Sequence, residues 1–297
     1  MSVYSIKDLE NLSGIKAHTL RIWEQRYNIV TPKRTDTNIR YYDDNDLKLV
    51  LNISLLQEHG FKISKIAQMQ PDIIHRQVLD LSEQDIRYTD QIQALTIAMI
   101  DLDEERFEKV LTRCALQMGF EQTMIQVIFP FLIRIGILWQ TAAITPAQEH
   151  FISHLIRQKI IVATDGQITN YTNQQHKYML FLPDGELHEL SLLFANYLLK
   201  VRKQKVIYLG QSLPFQDIES VHAIHQPDYL FTIVTSVPGP DELQPYITKL
   251  SQAFPHTTIL ITGYQAVTQS LDCPSNVLIM KTIQDFIEFI DNPSKTL

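Results

Sequence analysis

The spacing of apolar positions changes along the 297-residue chain and divides it into regions of different type. Residues 1–71 alternate short helical patterns with turns, and residues 91–165 keep a helical period throughout. Residues 177–297 alternate short apolar runs of strand type with amphipathic helical stretches. Residues 72–90 have a weaker helical pattern and are interpreted as a linker. The pattern therefore predicts three structured regions joined by one connecting segment.

The first region predicts two short helices separated by a tight turn. Ser5 and Asp8 have the spacing of a capping box in front of a helix over residues 6–12, and Gly14 supplies the turn. A second helix is predicted over residues 17–27, with Leu20, Trp23 and Tyr27 on its core face. The polar types that contact base edges and phosphates remain on or beside its outer face. These candidates are His18, Thr19, Arg21, Gln25 and Arg26.

A basic, turn-rich segment over residues 31–42 follows this helix pair. Two short strands about the polar turn at residues 35–38 would form a wing whose side chains grip DNA phosphates beside the second helix. A solvated basic loop is the alternative for such a segment alone, but the adjacent helix-turn-helix favours the wing. The candidates are Lys33, Arg34, Asn38, Arg40 and Tyr41.

The charge distribution agrees with a chain that meets DNA by one face. The net charge is −7, yet the first 70 residues carry ten Lys or Arg against eight Asp or Glu. That part is therefore +2, and the remainder, with 16 basic and 25 acidic residues, is −9. A mildly basic head on an acidic body restricts attraction for DNA to the head.

The middle region predicts a bundle of about four helices. Asp101 and Asp103 interrupt the pattern and Gly119 ends the next helix. An apolar helix is predicted over residues 124–139, kinked by Pro130. Thr145 is a predicted N-cap, followed by Pro146 at the first position of a helix over residues 146–164. The spacing also brings Trp139, Glu149 and His150 near one end of this bundle, although a core Trp, an exposed Glu and a partly buried His are the more usual explanation of such spacing alone.

The third region predicts a parallel sheet with helices on both faces, because strands and helices alternate. Ligands of such sheets bind beyond the carboxyl ends of the strands. The loop after the first strand carries Glu186 and His188, and a carboxylate-held imidazole is a good metal ligand, although a lone loop His is more often only solvated. The predicted strands cover residues 178–182, 205–209, 229–235, 258–262 and 277–281. The predicted fold class is α + α/β: a winged helix-turn-helix, a helical bundle and a doubly wound, flavodoxin-like sheet.

The head resembles the MerR family of transcriptional regulators over residues 2–71. The run from Thr19 to Tyr27, TLRIWEQRY, is followed by RYY at residues 40–42 and GFKISKI at residues 60–66, and these are specific family motifs. The resemblance implies a dimer that reads a near-palindromic operator in double-stranded DNA. One departure is Lys16, where the family usually has a Ser or Thr cap before the recognition helix.

The body resembles the cobalamin-binding part of light-sensing MerR-type repressors. The pattern Trp139-x9-Glu149-His150 is similar to the helical cap over the upper face of cobalamin, and Glu186-x-His188 is similar to the lower-ligand signature. The resemblance implies that His188 binds cobalt, that Glu186 orients it, and that Trp139 occupies the space above the corrin. Tyr208-Leu209-Gly210 and Pro214 also match the second strand and turn of that domain.

The nucleotide-tail slot of that family departs from its usual small residues. Ser191 stands in place of a signature Gly, and Thr262-Gly263 in place of Gly-Gly. Ile233 and Thr235 align with a Ser-x-Leu. These larger side chains narrow the predicted slot. Gln140 replaces the His that in light sensors follows the Trp, so a bis-His photoproduct is not expected.

Three functions are weighed against these residues. The first is a DNA-binding transcriptional regulator whose body binds a cobalamin and thereby controls assembly or DNA affinity. The second is the same regulator with a degenerate, cobalamin-free body used for oligomerisation or for a partner or other ligand. The third, a corrinoid carrier for a methyltransferase, is disfavoured because it needs no winged helix.

Further expectations concern assembly, location and chemistry. A homo-oligomer, dimer or tetramer, is expected, and its interface is placed in the body because no long heptad run follows the head. The chain is expected to be cytoplasmic with two reduced cysteines, without a membrane span or signal peptide. It is expected not to be an enzyme, because no catalytic constellation is visible.

Overall fold

The computed structural model describes residues 4–34, 38–58, 60–82, 88–140, 144–167 and 175–293. The chain divides into two compact units, Met1–His154 and Leu155–Leu297. Within the described part of the chain, no helix is both long and apolar enough to cross a membrane.

The head of the first unit contains the predicted helix-turn-helix and wing. Its helices are α1 (Ile6–Ser13), α2 (Ala17–Tyr27), α3 (Asp44–Glu58) and α4 (Ile63–Ile66). Strands β1 (Lys33–Arg34) and β2 (Arg40–Tyr41) pair antiparallel, which is the two-stranded wing. The predicted turn at residues 35–37 lies outside the described residues. Ser5 and Asp8 form the predicted capping box, and Gly14 ends α1 in the left-handed conformation.

The segment interpreted as a linker contains a helix. Helix α5 (Pro71–Ser82) packs against α3 of the head, with Ile74 buried. Residues 83–87 lie outside the described part. The weak helical periodicity of this segment is therefore that of a helix that packs on the head.

The bundle consists of α6 (Tyr88–Asp101), α7 (Glu104–Met118), α8 (Phe120–Thr123), α9 (Phe129–Gln140) and α10 (Pro146–Asp165). Asp103 caps α7, Gly119 ends it, and Thr145 exchanges capping hydrogen bonds with Gln148, as predicted. The predicted apolar helix begins earlier, at Phe120, and its distortion is a π-helical turn over Met124–Ile128. Pro130 follows this turn and has no N–H for the carbonyl four residues before it, which favours a wider turn there.

The second unit contains a five-stranded, wholly parallel sheet. Its strand order is β4-β3-β5-β6-β7, which is the predicted doubly wound, flavodoxin-like order. The strands are β3 (Lys177–Pro183), β4 (Lys205–Leu213), β5 (Tyr229–Ile233), β6 (Thr258–Thr262) and β7 (Val277–Ile279). The helices are α11 (Leu190–Val201), α12 (Phe215–His225), α13 (Pro240–Ala253), α14 (Tyr264–Thr268) and α15 (Ile283–Asp291).

The sheet order places a switch point between β3 and β5. The chain leaves β3 toward β4 on one side and later returns to β5 on the other, so the loops after β3 and β5 diverge above neighbouring strand ends. β3 is an inner strand and is buried over most of its length, with Met179 and Phe181 fully covered. A rigid strand therefore supports the loop that carries Glu186 and His188.

Candidate functional site

The recognition helix α2 presents the predicted polar face. Leu20 and Trp23 are buried, whereas His18, Arg21, Gln25 and Arg26 are exposed and Thr19 is half-buried. Tyr27, predicted in the core, is only half-buried, and the Arg26 guanidinium lies 5.4 Å from its ring centroid. A helix with two anchored apolar residues and an exposed basic face has the shape that major-groove recognition needs.

A residue of the preceding helix caps α2. Lys16 makes no side-chain cap, but Glu10 Oε2 accepts a hydrogen bond from the N–H of Ala17 at 3.2 Å. Glu10 Oε1 also accepts from Lys16 Nζ at 3.1 Å, and these bonds lower the pKa of Glu10. The missing Ser or Thr cap is therefore replaced by a carboxylate from α1, which also suits the positive end of the helix dipole.

The wing residues differ in how much of their charge remains for DNA. Arg34 is exposed, and its Nη1 donates to Asn38 Oδ1 at 2.7 Å, which orders the guanidinium across the wing. Arg40 is exposed and lies 3.7 Å from a Glu24 oxygen. Tyr41 is half-buried on the same strand. The Arg34 guanidinium is therefore both exposed to solvent and held in a fixed orientation.

Lys33 is engaged within the head. Its ammonium bonds to Asp43 and lies 3.5 Å from Asp46 Oδ2, and the Asp43 bond raises the pKa of Lys33. The carboxylates in turn cap the start of α3, since Asp43 Oδ1 accepts from the N–H of Asp46 at 3.1 Å. The geometry gives Lys33 a role in fixing the wing to α3, while its predicted DNA contact stays a prediction.

One exposed residue of α2 escaped the sequence analysis. Ile22 is 50% exposed although it is apolar and lies beside Arg21. The helical period places Ile22 on the outer face of α2, where only polar side chains were predicted to contact DNA. An apolar side chain on this face can contact a thymine methyl group.

Glu186 is the centre of the loop arrangement after β3. It is fully buried, and its Oε2 accepts from the backbone N–H groups of Thr235, Ser236 and Val237 at 3.0, 2.7 and 3.1 Å. Its Oε1 accepts from the N–H groups of Leu187 and His188 at 3.0 and 3.1 Å. One carboxylate thus joins the loops after β3 and β5, across the switch point of the sheet.

These donors keep Glu186 ionised. Burial alone would raise its pKa, but the N–H of Ser236, the His188 imidazole and the N–H of Val237 outweigh burial and lower the pKa to about 2. The anion is therefore stable at neutral pH. A buried, permanently charged acceptor is suited to orienting an imidazole.

His188 presents one ring nitrogen outward. Its Nδ1 lies 2.6 Å from Glu186 Oε1 and 3.4 Å from Ser236 Oγ, and its side chain is 62% exposed. Because an ionised carboxylate only accepts, Nδ1 carries the proton in the neutral imidazole and Nε2 keeps its lone pair. The structure therefore has a carboxylate-oriented nitrogen donor at the place where such sheets bind ligands.

The end of β4 holds the other side of this loop. Ser212 has a left-handed backbone, φ 51°, and its N–H donates to the carbonyl of Glu186 at 3.1 Å. Its Oγ accepts from the N–H of Gly185 at 3.0 Å and donates to Asp184 Oδ1 at 3.0 Å. No local pattern predicted Ser212 or Ser236, because Ser212 approaches this loop from β4 and Ser236 from the loop after β5.

The five predicted tail-slot positions lie near the carboxyl edge of the sheet. Ile233 is buried at the end of β5, and Thr262 Oγ1 is bonded to the carbonyl of Met280 at 2.6 Å. Ser191 and Thr235 are half-buried. Gly263 has φ 107°, and a Cβ there would lie 2.4 Å from the carbonyl oxygen of Val234. Backbone atoms, and side chains larger than those of the resembling family, therefore occupy part of the space where the nucleotide-tail slot is predicted.

The bundle residues of the predicted cofactor set are described only in part. Trp139 lies in α9, and its side chain is outside the described structure, as is that of Gln140. Glu149 and His150 lie in the first turns of α10, with Glu149 Oε2 2.9 Å from His150 Nδ1 and the His150 side chain 68% exposed. Their predicted roles stay predictions.

Comparisons with known proteins agree with both the head and the bundle. The family model "MerR HTH family regulatory protein" matches residues 4–72, and the model "B12 binding domain" matches residues 91–163. The HTH-type transcriptional repressor CarH of Myxococcus xanthus is 25% identical over 280 residues, covering 90% of this chain and 93% of that protein. The chain therefore combines a MerR-type head with a B12-binding-type bundle and is homologous to CarH.

A second curated relative and a solved structure agree with this homology and with the fold. The HTH-type transcriptional repressor CarA of Myxococcus xanthus is 24% identical over 264 residues, covering 88% of this chain and 86% of that protein. Among solved structures, the monomethylamine corrinoid protein of Methanosarcina barkeri has a TM-score of 0.52 at 11% identity, covering 65% of this chain and 94% of that chain. That structural likeness concerns the fold alone, and it agrees with the predicted fold class.

Proposed function

We propose that this MerR-type regulator binds a cobalamin-type corrinoid in its body, with His188 as the lower axial ligand of cobalt. The observation that carries the proposal is the Glu186–His188 pair, in which a buried carboxylate holds Nδ1 and leaves Nε2 directed away from that bond. The B12-binding match of residues 91–163 and the homology with CarH support the same cofactor class.

The donor set fits a corrinoid through one imidazole nitrogen. A bound corrinoid would supply a cobalt centre, and His188 Nε2 would be the nitrogen that holds it. Glu186 keeps the Nδ1 proton in place and makes Nε2 more basic, as outer carboxylates do for metal-binding imidazoles. The loop needs no rearrangement of Glu186, because seven donors already surround its two oxygens.

The head acts on DNA in the proposed function. The chain forms a homo-oligomer, dimer or tetramer, in which two heads read the halves of a near-palindromic operator. Arg21 and Arg26 on α2 approach the major groove, and Arg34 and Arg40 contact flanking phosphates. The corrinoid sets the oligomeric state or the DNA affinity of this assembly.

A second candidate, the same regulator with a cobalamin-free body, is favoured by one observation. Ile233 is buried at the end of β5, and the Thr262 hydroxyl is already bonded to Met280, at positions where the resembling family keeps small residues for the nucleotide tail. A corrinoid without that tail avoids the conflict, whereas a body without any corrinoid explains it equally. Affinity for cobinamide, which lacks the tail, compared with cobalamin separates the two.

The proposed function is tested on the full chain with adenosylcobalamin in the dark. Molar mass is measured by light scattering after gel filtration, and DNA affinity by fluorescence anisotropy on duplexes selected by the protein from a random pool. The proposal expects bound corrinoid together with a change in mass or affinity, and neither in His188→Ala. Specific DNA binding that is unchanged by cobalamin or cobinamide would instead support the cobalamin-free body.

A further inference from the structure

A second carboxylate holds the His188 loop from its other end. Glu189 follows His188 directly, and its side chain is only 10% exposed. Its Oε2 accepts from Arg157 Nε at 3.1 Å and lies 2.9 Å from Arg157 Nη2, while its Oε1 accepts from the Tyr208 hydroxyl at 2.8 Å. Arg157 belongs to α10 and Tyr208 to β4. One side chain therefore joins a helix, a loop and a strand.

In the trio of Arg157, Glu189 and Tyr208, the first and last residues donate hydrogen bonds and Glu189 accepts them. Burial and the bond to Glu189 raise the pKa of Tyr208 well above its usual value, so the hydroxyl remains a donor at all physiological pH values. The guanidinium approaches Glu189 through two nitrogens, and such charge-assisted bonds are shorter and stronger than neutral ones. Both oxygens of Glu189 are therefore engaged by donors that do not lose their protons.

The residues between the two anchors have little else to fix them. Leu187 is 63% exposed and the His188 side chain is 62% exposed. Glu186 holds one end of this pair, and Glu189 holds the other. The position of the imidazole therefore depends on both carboxylates.

We propose that Arg157, Glu189 and Tyr208 are positioning residues that couple helix α10 to axial ligation by His188. The inference rests on the proposed function, because it assigns these residues to the same corrinoid site. Linkage makes the coupling reciprocal: if the hold on Glu189 strengthens ligation, ligation strengthens the hold on α10 by the same factor.

The test uses cobinamide, which has no lower base of its own, so that the lower nitrogen ligand must come from the protein. Arg157→Ala and Glu189→Gln are expected to bind it about tenfold more weakly, at the low end of what outer partners of metal ligands contribute. Their corrin absorption bands are expected to shift toward those of His188→Ala. Because Arg157 and Glu189 act through one ion pair, the double variant is expected to lose no more affinity than either single variant. Tyr208→Phe is expected to show a smaller loss in the same direction.

A matched control removes a comparable ion pair from the same unit. Arg202 Nε donates to Asp291 Oδ1 at 2.8 Å, at the opposite end of α11 from His188. Arg202→Ala is expected to keep wild-type cobinamide affinity and the wild-type spectrum. If wild type and His188→Ala differ in cobinamide binding but Arg157→Ala and Glu189→Gln behave like Arg202→Ala, the coupling is refuted while the proposed function stands.

A measurement without corrinoid keeps the inference independent of the proposed function. Hydrogen exchange of the peptide covering residues 184–190 is compared in the ligand-free full chain. Faster exchange in Arg157→Ala than in Arg202→Ala supports the positioning role, even if no corrinoid is bound by the wild type. Equal exchange in the two variants overturns it.

Discussion

Glu186→Gln is expected to destabilise the second unit strongly, because it changes a single buried carboxylate. The Glu186 carboxylate accepts at both oxygens, with three backbone N–H groups of residues 235–237 on Oε2. A glutamine amide has only one acceptor oxygen, so its NH₂ must face donors on one side whichever way it is turned. The variant therefore loses at least two backbone hydrogen bonds and leaves buried N–H groups without an acceptor.

The lowered pKa of Glu186 gives the magnitude of the stabilising free energy that the variant loses. Lowering the Glu186 pKa from 4.5 to about 2 corresponds to about 3 kcal/mol of native-state stabilisation at neutral pH, at about 1.4 kcal/mol per pKa unit. Because the folded pKa is the lower one, this contribution is complete above the unfolded value and is lost as the pH falls toward the folded value. At pH 3 it is expected to be about 1 kcal/mol.

The assay must isolate the second unit. The two Trp residues, Trp23 and Trp139, lie in Met1–His154, so tryptophan fluorescence reports on the first unit. Hydrogen exchange of peptides from β3 and β5 gives the local free energy of opening at pH 7, and urea unfolding followed by circular dichroism gives the pH dependence. Asp184→Asn, whose exposed carboxylate accepts only from Ser212 among the described contacts, is the matched control. A Glu186→Gln loss no larger than that of Asp184→Asn, or one that grows at pH 3, would refute the reasoning.

Three further predictions concern the head and the sheet edge. Replacing Arg34 and Arg40 together by Ala should weaken binding to all DNA sequences alike and reduce the salt slope by about 1 per lost phosphate contact, measured by anisotropy across salt concentrations. Glu10→Ala should remove the cap of the recognition helix, giving faster hydrogen exchange in α2 and weaker DNA binding. Gly263→Ala should destabilise the second unit by about 3 kcal/mol or more, because its Cβ would overlap the Val234 backbone at a positive φ; Gly136→Ala, with open space around it, should not destabilise the chain, as thermal unfolding would show.

Each of these has an outcome that contradicts it. A change in sequence preference for the Arg variant would assign the wing to base contacts, and Lys109→Ala on α7 should leave the salt slope unchanged. Restoring a side-chain cap with Lys16→Ser in the Glu10→Ala background should recover slow exchange in α2, and failure to do so would remove capping as the reason. Equal stability of the two glycine variants would mean that the edge relaxes around a methyl group.

Local signals predicted the elements whose ends are fixed locally. The bounds of α2 matched residue for residue, and Asp103, Gly119 and Thr145 mark helix ends as expected, because caps and glycine turns act within four residues. The parallel sheet followed from the alternation of strands and helices. Strand pairing explains an element end that local signals did not predict. β4 continues four residues beyond its predicted end, since Gly210 and Leu213 pair with β3.

The site was predictable only where its residues are close in sequence. Glu186 and His188 stand two residues apart, so their pairing was expected. The partners from residues 235–237 are 49 to 51 positions away, and Arg157 and Tyr208 reach Glu189 from 32 and 19 positions away. Glu10 caps α2 from the preceding helix for the same reason. Such contacts depend on how elements pack, and a single sequence contains no local signal for them.

The most direct test of His188 as the cobalt ligand is the absorption spectrum of the purified full chain after mixing with cobalamin or cobinamide in the dark and desalting. We predict retained corrinoid in the wild type with the bands of a protein nitrogen ligand, and loss of those bands in His188→Ala. A colourless wild type with both corrinoids, or identical spectra for wild type and His188→Ala, would contradict His188 as the cobalt ligand.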